Sequence, residues 1–186
     1  AYYAERTLKM SKQIDGPVVW VGHSYGGKVI TEMGDLPNVG ALVFIAAFAP
    51  DAGESAGAIS QANPPEAFAN IQPDSDGFLW VAQDKYHQSF CQDLSEEEAY
   101  VMAVTQKAPV GGTFGDNVTA PAWKVKPNWY QISSGDRMLN PENQKMMAAR
   151  MNPRKTITLD ASHASLASRP QEVAAFIVEA ANAISA

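Results

Sequence analysis

The pentapeptide Gly22-His23-Ser24-Tyr25-Gly26 follows the apolar run Val18-Val19-Trp20-Val21 and precedes Gly27-Lys28-Val29-Ile30, which reads as the opening of a helix. A strand that turns directly into a helix through G-x-S-x-G lifts the serine hydroxyl above the sheet and aims the next backbone N–H at the same space. The backbone of such a turn is strained and crowded, so small residues are needed beside it. A bare G-x-S-x-G recurs by chance in surface turns, and here the flanking strand and helix patterns make it a nucleophile elbow. Ser24 is therefore the candidate nucleophile, and the Tyr25 N–H a candidate oxyanion donor.

An elbow of this kind requires an acid and then a histidine later in the chain, each following a strand. Trp129-Tyr130-Gln131-Ile132-Ser133 reads as a strand, Gly135-Asp136-Arg137 as the turn after it, and Asn140-Pro141-Glu142 as a helix start. Thr156-Ile157-Thr158-Leu159 reads as the next strand, with His163 in the following turn and Pro170 able to open a helix. Asp136 and His163 would then share the rim at the carboxyl ends of parallel strands, where such sheets place their chemistry. An aspartate after glycine is most often a turn former, and Asp160 and Asp51 also follow strand-like runs as rivals for the acid. The chain has 3 histidines; His23 lies inside the elbow and His87 in a segment without strand character, which leaves His163 as the base. In that arrangement His163 removes the Ser24 proton and later returns it to the leaving group, while Asp136 holds the imidazole tautomer.

The stretches GPVVWVGHSYGGKVITEMG, FIAAFAPDAGES, APAWKVKPNWYQISSGDRMLNPE and ASHASL together resemble the small bacterial α/β-hydrolase fold esterases, distantly like plant methyl esterases and hydroxynitrile lyases. The resemblance spans nearly the whole chain. It implies a shortened α/β-hydrolase fold, a mainly parallel sheet flanked by helices and interrupted by a helical cap, and hydrolysis of carboxylic esters of small hydrophobic substrates through an acyl-enzyme, without a cofactor. The family places several strands before the elbow and a His-Gly pair that supplies a second oxyanion donor. No histidine here is followed by glycine, and residues 4–14 read as a charged, partly apolar helix just ahead of the elbow strand. The chain is thus expected to be an N-terminally shortened member, and loss of one oxyanion donor typically costs about 100-fold to 1000-fold in turnover. A catalytically weak or inactive remnant that binds or oligomerises is the alternative. A lyase reading is weaker, because a lysine commonly follows the base in that branch and Ala164 does so here.

The chain reads as a single domain over residues 1–186, its core at 1–52 and 121–186 and a cap insertion at about 53–120. Residues 41–49 form a nearly continuous apolar run, as a strand covered on both faces does. The insertion brings prolines, aromatic residues and the acidic helix start Ser95-Glu96-Glu97-Glu98, which Asp93 or Ser95 would cap; residues 109–113 read as a flexible return loop. Phe78, Trp80 and Tyr86 of the insertion, with His23 and Trp123, are the candidate substrate-binding walls.

With 186 residues and 46% hydrophobic content, one substantial core can be buried. A formal charge of −6 argues against nucleic acid, no apolar run approaches a membrane span of roughly 20 residues, and no signal segment opens the chain. The single cysteine, Cys91, forbids an internal disulfide, and scattered histidines make no zinc site. These features suggest a cytoplasmic protein without a nucleic-acid or membrane partner, and the resemblance implies a small-molecule ester as its substrate. A shortened core would leave the elbow strand at a sheet edge, so a homo-oligomer pairing there, with Trp20 near the contact, is also expected; a segment of a longer protein covering that edge is the rival reading, and a rebuilt local structure the third.

Overall fold

The computed structural model describes residues 2–33 and 36–184. In chain order the core begins with α1 (Tyr2–Ser11), β1 (Val18–His23), α2 (Tyr25–Met33) and β2 (Val39–Ile45). The insertion follows, with α3 (Ala56–Ala62), β3 (Ile71–Pro73), β4 (Leu79–Val81), α4 (Tyr86–Phe90) and α5 (Glu96–Thr105). The core resumes with β5 (Asn128–Ser133), α6 (Pro141–Met151), β6 (Lys155–Leu159), the short α7 (Ser165–Ser168) and α8 (Pro170–Asn182). The parallel sheet runs β1-β2-β5-β6, with His23 opposite Ile45 and Ile45 opposite Gln131. It is the α/β layering that the strand patterns predict.

β2 explains how the layers close. Its side chains alternate between two apolar clusters: Leu42 and Phe44 meet Ile30, Ile59, Met147 and Met151 on one face, and Ala41, Val43 and Ile45 meet Val173, Phe176 and Ala180 of α8 on the other. Fully burying one such side chain is worth about 1.5–3 kcal/mol, so a polar substitution at any of residues 41–45 would weaken the seat of a helix layer. The predicted apolar run does not remain a strand to residue 49. The strand ends at Ile45, because Ala46 takes φ 43 and Phe48 turns its N–H to the carbonyl of Ser24. The run is instead a buried loop that props the elbow.

Other boundaries shift for local reasons. α1 stops at Ser11, and the chain then turns through Gly16 at φ 87 into β1. α6 has Asn140 as its cap, accepting from the Glu142 N–H, with Pro141 in the first turn. Ser95, not Asp93, caps α5 in a reciprocal capping box with Glu98.

The insertion is not purely helical: β3 and β4 form a two-stranded antiparallel ribbon. Its own cluster of Val81, Tyr86, Cys91, Ala99 and Ala103 rests on Ala164, the residue after His163. Residues 109–113 are anchored rather than loose, since the Val110 N–H donates to the Tyr3 hydroxyl and the Thr113 carbonyl accepts from Lys28 and Tyr25. β1 pairs only with β2 among the described residues, and its outer edge carries Val21 at 40% exposure. Also among the described residues, no helix is long and apolar enough to cross a membrane, and no group of three or more His, Cys, Asp or Glu side chains could hold a metal.

Candidate active site

β1 delivers Ser24 at its carboxyl end with φ 53, a left-handed conformation that a non-glycine residue adopts only under constraint. Three backbone contacts impose it: the Ser24 N–H donates to the Ile45 carbonyl, and the Ser24 carbonyl accepts from Gly27 and Phe48. A side chain at Gly22 would strike the Gly26 carbonyl at 2.7 Å, and one at Gly27 would strike Phe48. Gly26 differs, with nothing within 4 Å of a would-be Cβ, so crowding accounts for Gly22 and Gly27 but not for Gly26. Tyr25 begins α2, so its N–H has no preceding helical turn to donate into and is available to an anion.

The loops after β5 and β6 bring Asp136 and His163 together. His163 Nδ1 lies 2.7 Å from Asp136 Oδ2, with the imidazole 1% exposed and the carboxylate 0%. Oδ1 of Asp136 accepts from the Met138 and Leu139 N–H groups, and Oδ2 also accepts from Gln144 Nε2 at 2.8 Å. Every acceptor direction of the carboxylate is therefore filled by a donor, which fixes its plane and leaves Nδ1–H as the tautomer it selects. The rivals sit elsewhere. Asp51 pairs with Lys124, which holds its carboxyl below the usual range, and Asp160 contributes its backbone carbonyl to Arg169.

Ser24 and His163 line one cavity of about 600 Å³. Among the described residues no hydrogen bond joins Ser24 Oγ to His163; nucleophile–base bonds of this kind commonly tighten in the substrate complex. The walls are largely apolar, with Phe48, Phe68, Phe90, Phe114, Leu79 and Met138 among them. Of the expected walls, His23 and Tyr86 line the cavity. Trp80 instead turns out to Asp74, Trp123 is buried with its indole N–H on the Pro50 carbonyl, and Phe78 joins residue 110 through a backbone bridge; none of the three lines the cavity.

His23 does more than occupy the elbow. Its Nε2 lies 2.7 Å from the carbonyl of His163, and the two rings sit 4.6 Å apart. Burial, followed by the neighbouring His163, pushes the His23 pKa down to about 4. A carbonyl can only accept, so neutral His23 carries its proton on Nε2. Burial also pushes the Cys91 thiol up to about 11, where it is a packing residue rather than a nucleophile.

Residues of the insertion grip both loops. Gln92 Nε2 donates to the Gly135 carbonyl at 2.6 Å, beside Asp136, and Asp93 accepts from the Ser162 N–H at 2.8 Å, beside His163. Neither these residues nor Gln144 carries a motif, and they become visible only when the fold brings distant segments together.

Comparison with known proteins places this geometry in context. Residues 2–176 match the profile described as Alpha/beta hydrolase family. The chain is 40% identical over 89 residues to the carbendazim hydrolyzing esterase of Nocardioides sp. (strain SG-4G), a match covering 46% of this chain and 35% of that protein. It is 24% identical over 204 residues to methylesterase 3 of Arabidopsis thaliana, covering 97% of this chain and 76% of that protein. Among solved structures, polyneuridine aldehyde esterase superposes with a TM-score of 0.81 at 18% identity, over 95% of this chain and 77% of its own, which is a likeness of fold.

Proposed function

The chain belongs to the alpha/beta hydrolase family, and from that premise we propose that it is a serine esterase acting through Ser24, His163 and Asp136. The observation that carries this reading is the buried 2.7 Å bond between His163 Nδ1 and Asp136 Oδ2, with His163 lining the same cavity as a serine held at φ 53. With Nδ1–H committed to the carboxylate, Nε2 is the basic nitrogen. It takes the Ser24 proton as Oγ bonds to the acyl carbon, and the developing oxyanion meets the Tyr25 N–H. Collapse of that intermediate breaks the ester C–O bond, and the imidazolium returns its proton to the departing alkoxide. Water then repeats the sequence on the acyl-enzyme and releases the acid.

The apolar walls favour an ester with a hydrophobic acyl or alcohol part, and the esterase names carried by the relatives support that class. Assembly is part of the same reading: a second copy pairs along the open edge of β1, since an apolar edge strand left bare invites another strand. So is a cytoplasmic location, in keeping with a single cysteine, Cys91, that is free and buried.

A fluorophosphonate probe tests the proposal. Covalent labelling at Ser24 together with hydrolysis of p-nitrophenyl butyrate supports a serine esterase. A folded chain that does neither is the binding remnant instead.

A further inference from the structure

Asp136 holds His163, and Asp136 is itself held by a side chain with no obvious signature. Gln144 projects from α6 with 0% exposure. Its Oε1 accepts from the Ser133 N–H at 3.0 Å, and its Nε2 donates at 2.8 Å both to the Leu139 carbonyl and to Asp136 Oδ2. The orientation of the amide is not arbitrary, because the Ser133 N–H can only donate and the Leu139 carbonyl can only accept. Asp136 Oδ2 is also the oxygen that faces His163 Nδ1.

We propose that Gln144 is a positioning residue for the triad, fixing the Asp136 carboxylate so that Oδ2 points at His163 and supplying an uncharged donor at the oxygen shared with the base. This rests on the Ser24, His163 and Asp136 reading given above. Only an amide offers one acceptor and two donors in this shape. Glutamate is isosteric but lacks both donors when ionised, and would then set two carboxylates side by side in a buried site. The titratable groups around the cluster are His163, His23 from β1, and Tyr130 from β5, whose buried phenol is pushed up by desolvation and feels Asp136; Arg150 lies further along α6, and Arg137 turns away to Glu66 and the Gln88 carbonyl.

The test uses Gln144→Glu and Gln144→Met in the full chain, with melting temperature as the fold control. Two readouts are followed: the rate of Ser24 labelling by a fluorophosphonate against pH, and the low-field proton signal of His163 Hδ1. In Gln144→Glu the pair of carboxyls holds one proton that the parent lacks and titrates as a unit. Its labelling profile should gain an alkaline limb, falling where that proton leaves. Gln144→Met should slow labelling on the order of 10- to 100-fold at all pH values, as misplacement of a reacting group does, and should broaden or remove the Hδ1 signal. If Ser24 fails to label in the parent but the Hδ1 signal is present and lost in Gln144→Met, the positioning role stands and the esterase reading falls. An Hδ1 signal unchanged in Gln144→Met, with a Gln144→Glu profile of the parent's shape wherever labelling occurs, overturns the proposal.

Discussion

The imidazole of His23 donates from Nε2 to the main-chain carbonyl of His163 at 2.7 Å, across 140 positions of sequence. The residue before the candidate nucleophile thereby holds the backbone of the candidate base. The bond needs neutral His23, and burial keeps it neutral down to about pH 4. In the unfolded chain the same side chain takes a proton near its ordinary value of about 6.5. The unfolded state thus binds more protons between those values, so this contribution to stability is complete above pH 6.5 and is lost as pH falls from there toward 4. His23→Gln keeps a donor but cannot titrate. Its melting temperature should fall less than the parent's between pH 6.5 and 4, and parallel curves would show that His23 is not held neutral.

Asp136 should be the only aspartate whose charge the reaction requires. Asp136→Asn retains the shape of the site yet presents the wrong hydrogen-bonding pattern to Nδ1, and turnover should drop by roughly 1,000- to 10,000-fold with the melting temperature little changed. Asp51→Asn and Asp160→Asn should leave ester hydrolysis near the parent rate. A large loss in either, with Asp136→Asn active, would move the acid elsewhere.

The walls of the cavity make a separable statement about substrate. Phe114 lines it and packs on Tyr25 and Phe48, whereas Trp80 faces Asp74 outside it. Phe114→Ala should raise KM for a medium-chain p-nitrophenyl ester by roughly tenfold, the worth of a lost aromatic contact, while Trp80→Ala leaves it unchanged. The reverse pattern would mean that the substrate enters from another side.

The core and the rim were legible in the sequence because they rest on local signals. Apolar runs mark β1, β2 and β5, the alternating Thr-Ile-Thr-Leu marks β6, and each is followed by a turn with its own chemistry. The elbow, Asp136 and His163 inherit their positions from that pattern, and the structure places Asp136 against His163 and Ser24 at the same cavity. The β3–β4 ribbon was not legible, because its strands are 3 residues each and carry Pro73. Aromatic content alone could not say which way Phe78, Trp80 and Trp123 face. Gln92 and Gln144 were silent, and Asp93 was legible only as a candidate helix cap, for another reason: a polar residue acquires such a role only through partners that are distant in the chain.

The open edge of β1 leads to an expectation about assembly. Backbone groups along Val18–His23 have a strand neighbour on one side alone among the described residues. An exposed strand edge with unpaired N–H and C=O groups is a template for another strand, so pairing with a second copy is the arrangement expected. Light scattering at micromolar concentration should return twice the mass of one chain, and Val21→Lys on the exposed face of the edge should return it to a single mass. A folded monomer for the parent chain would contradict this arrangement.

The central claim is that Ser24, and no other serine, is the activated nucleophile. Intact mass after treatment with a phosphonate ester tests it most directly. A single adduct per chain is expected, absent in Ser24→Ala and strongly slowed in Asp136→Asn. An adduct that persists in Ser24→Ala, or a folded parent chain that takes up none, would contradict it.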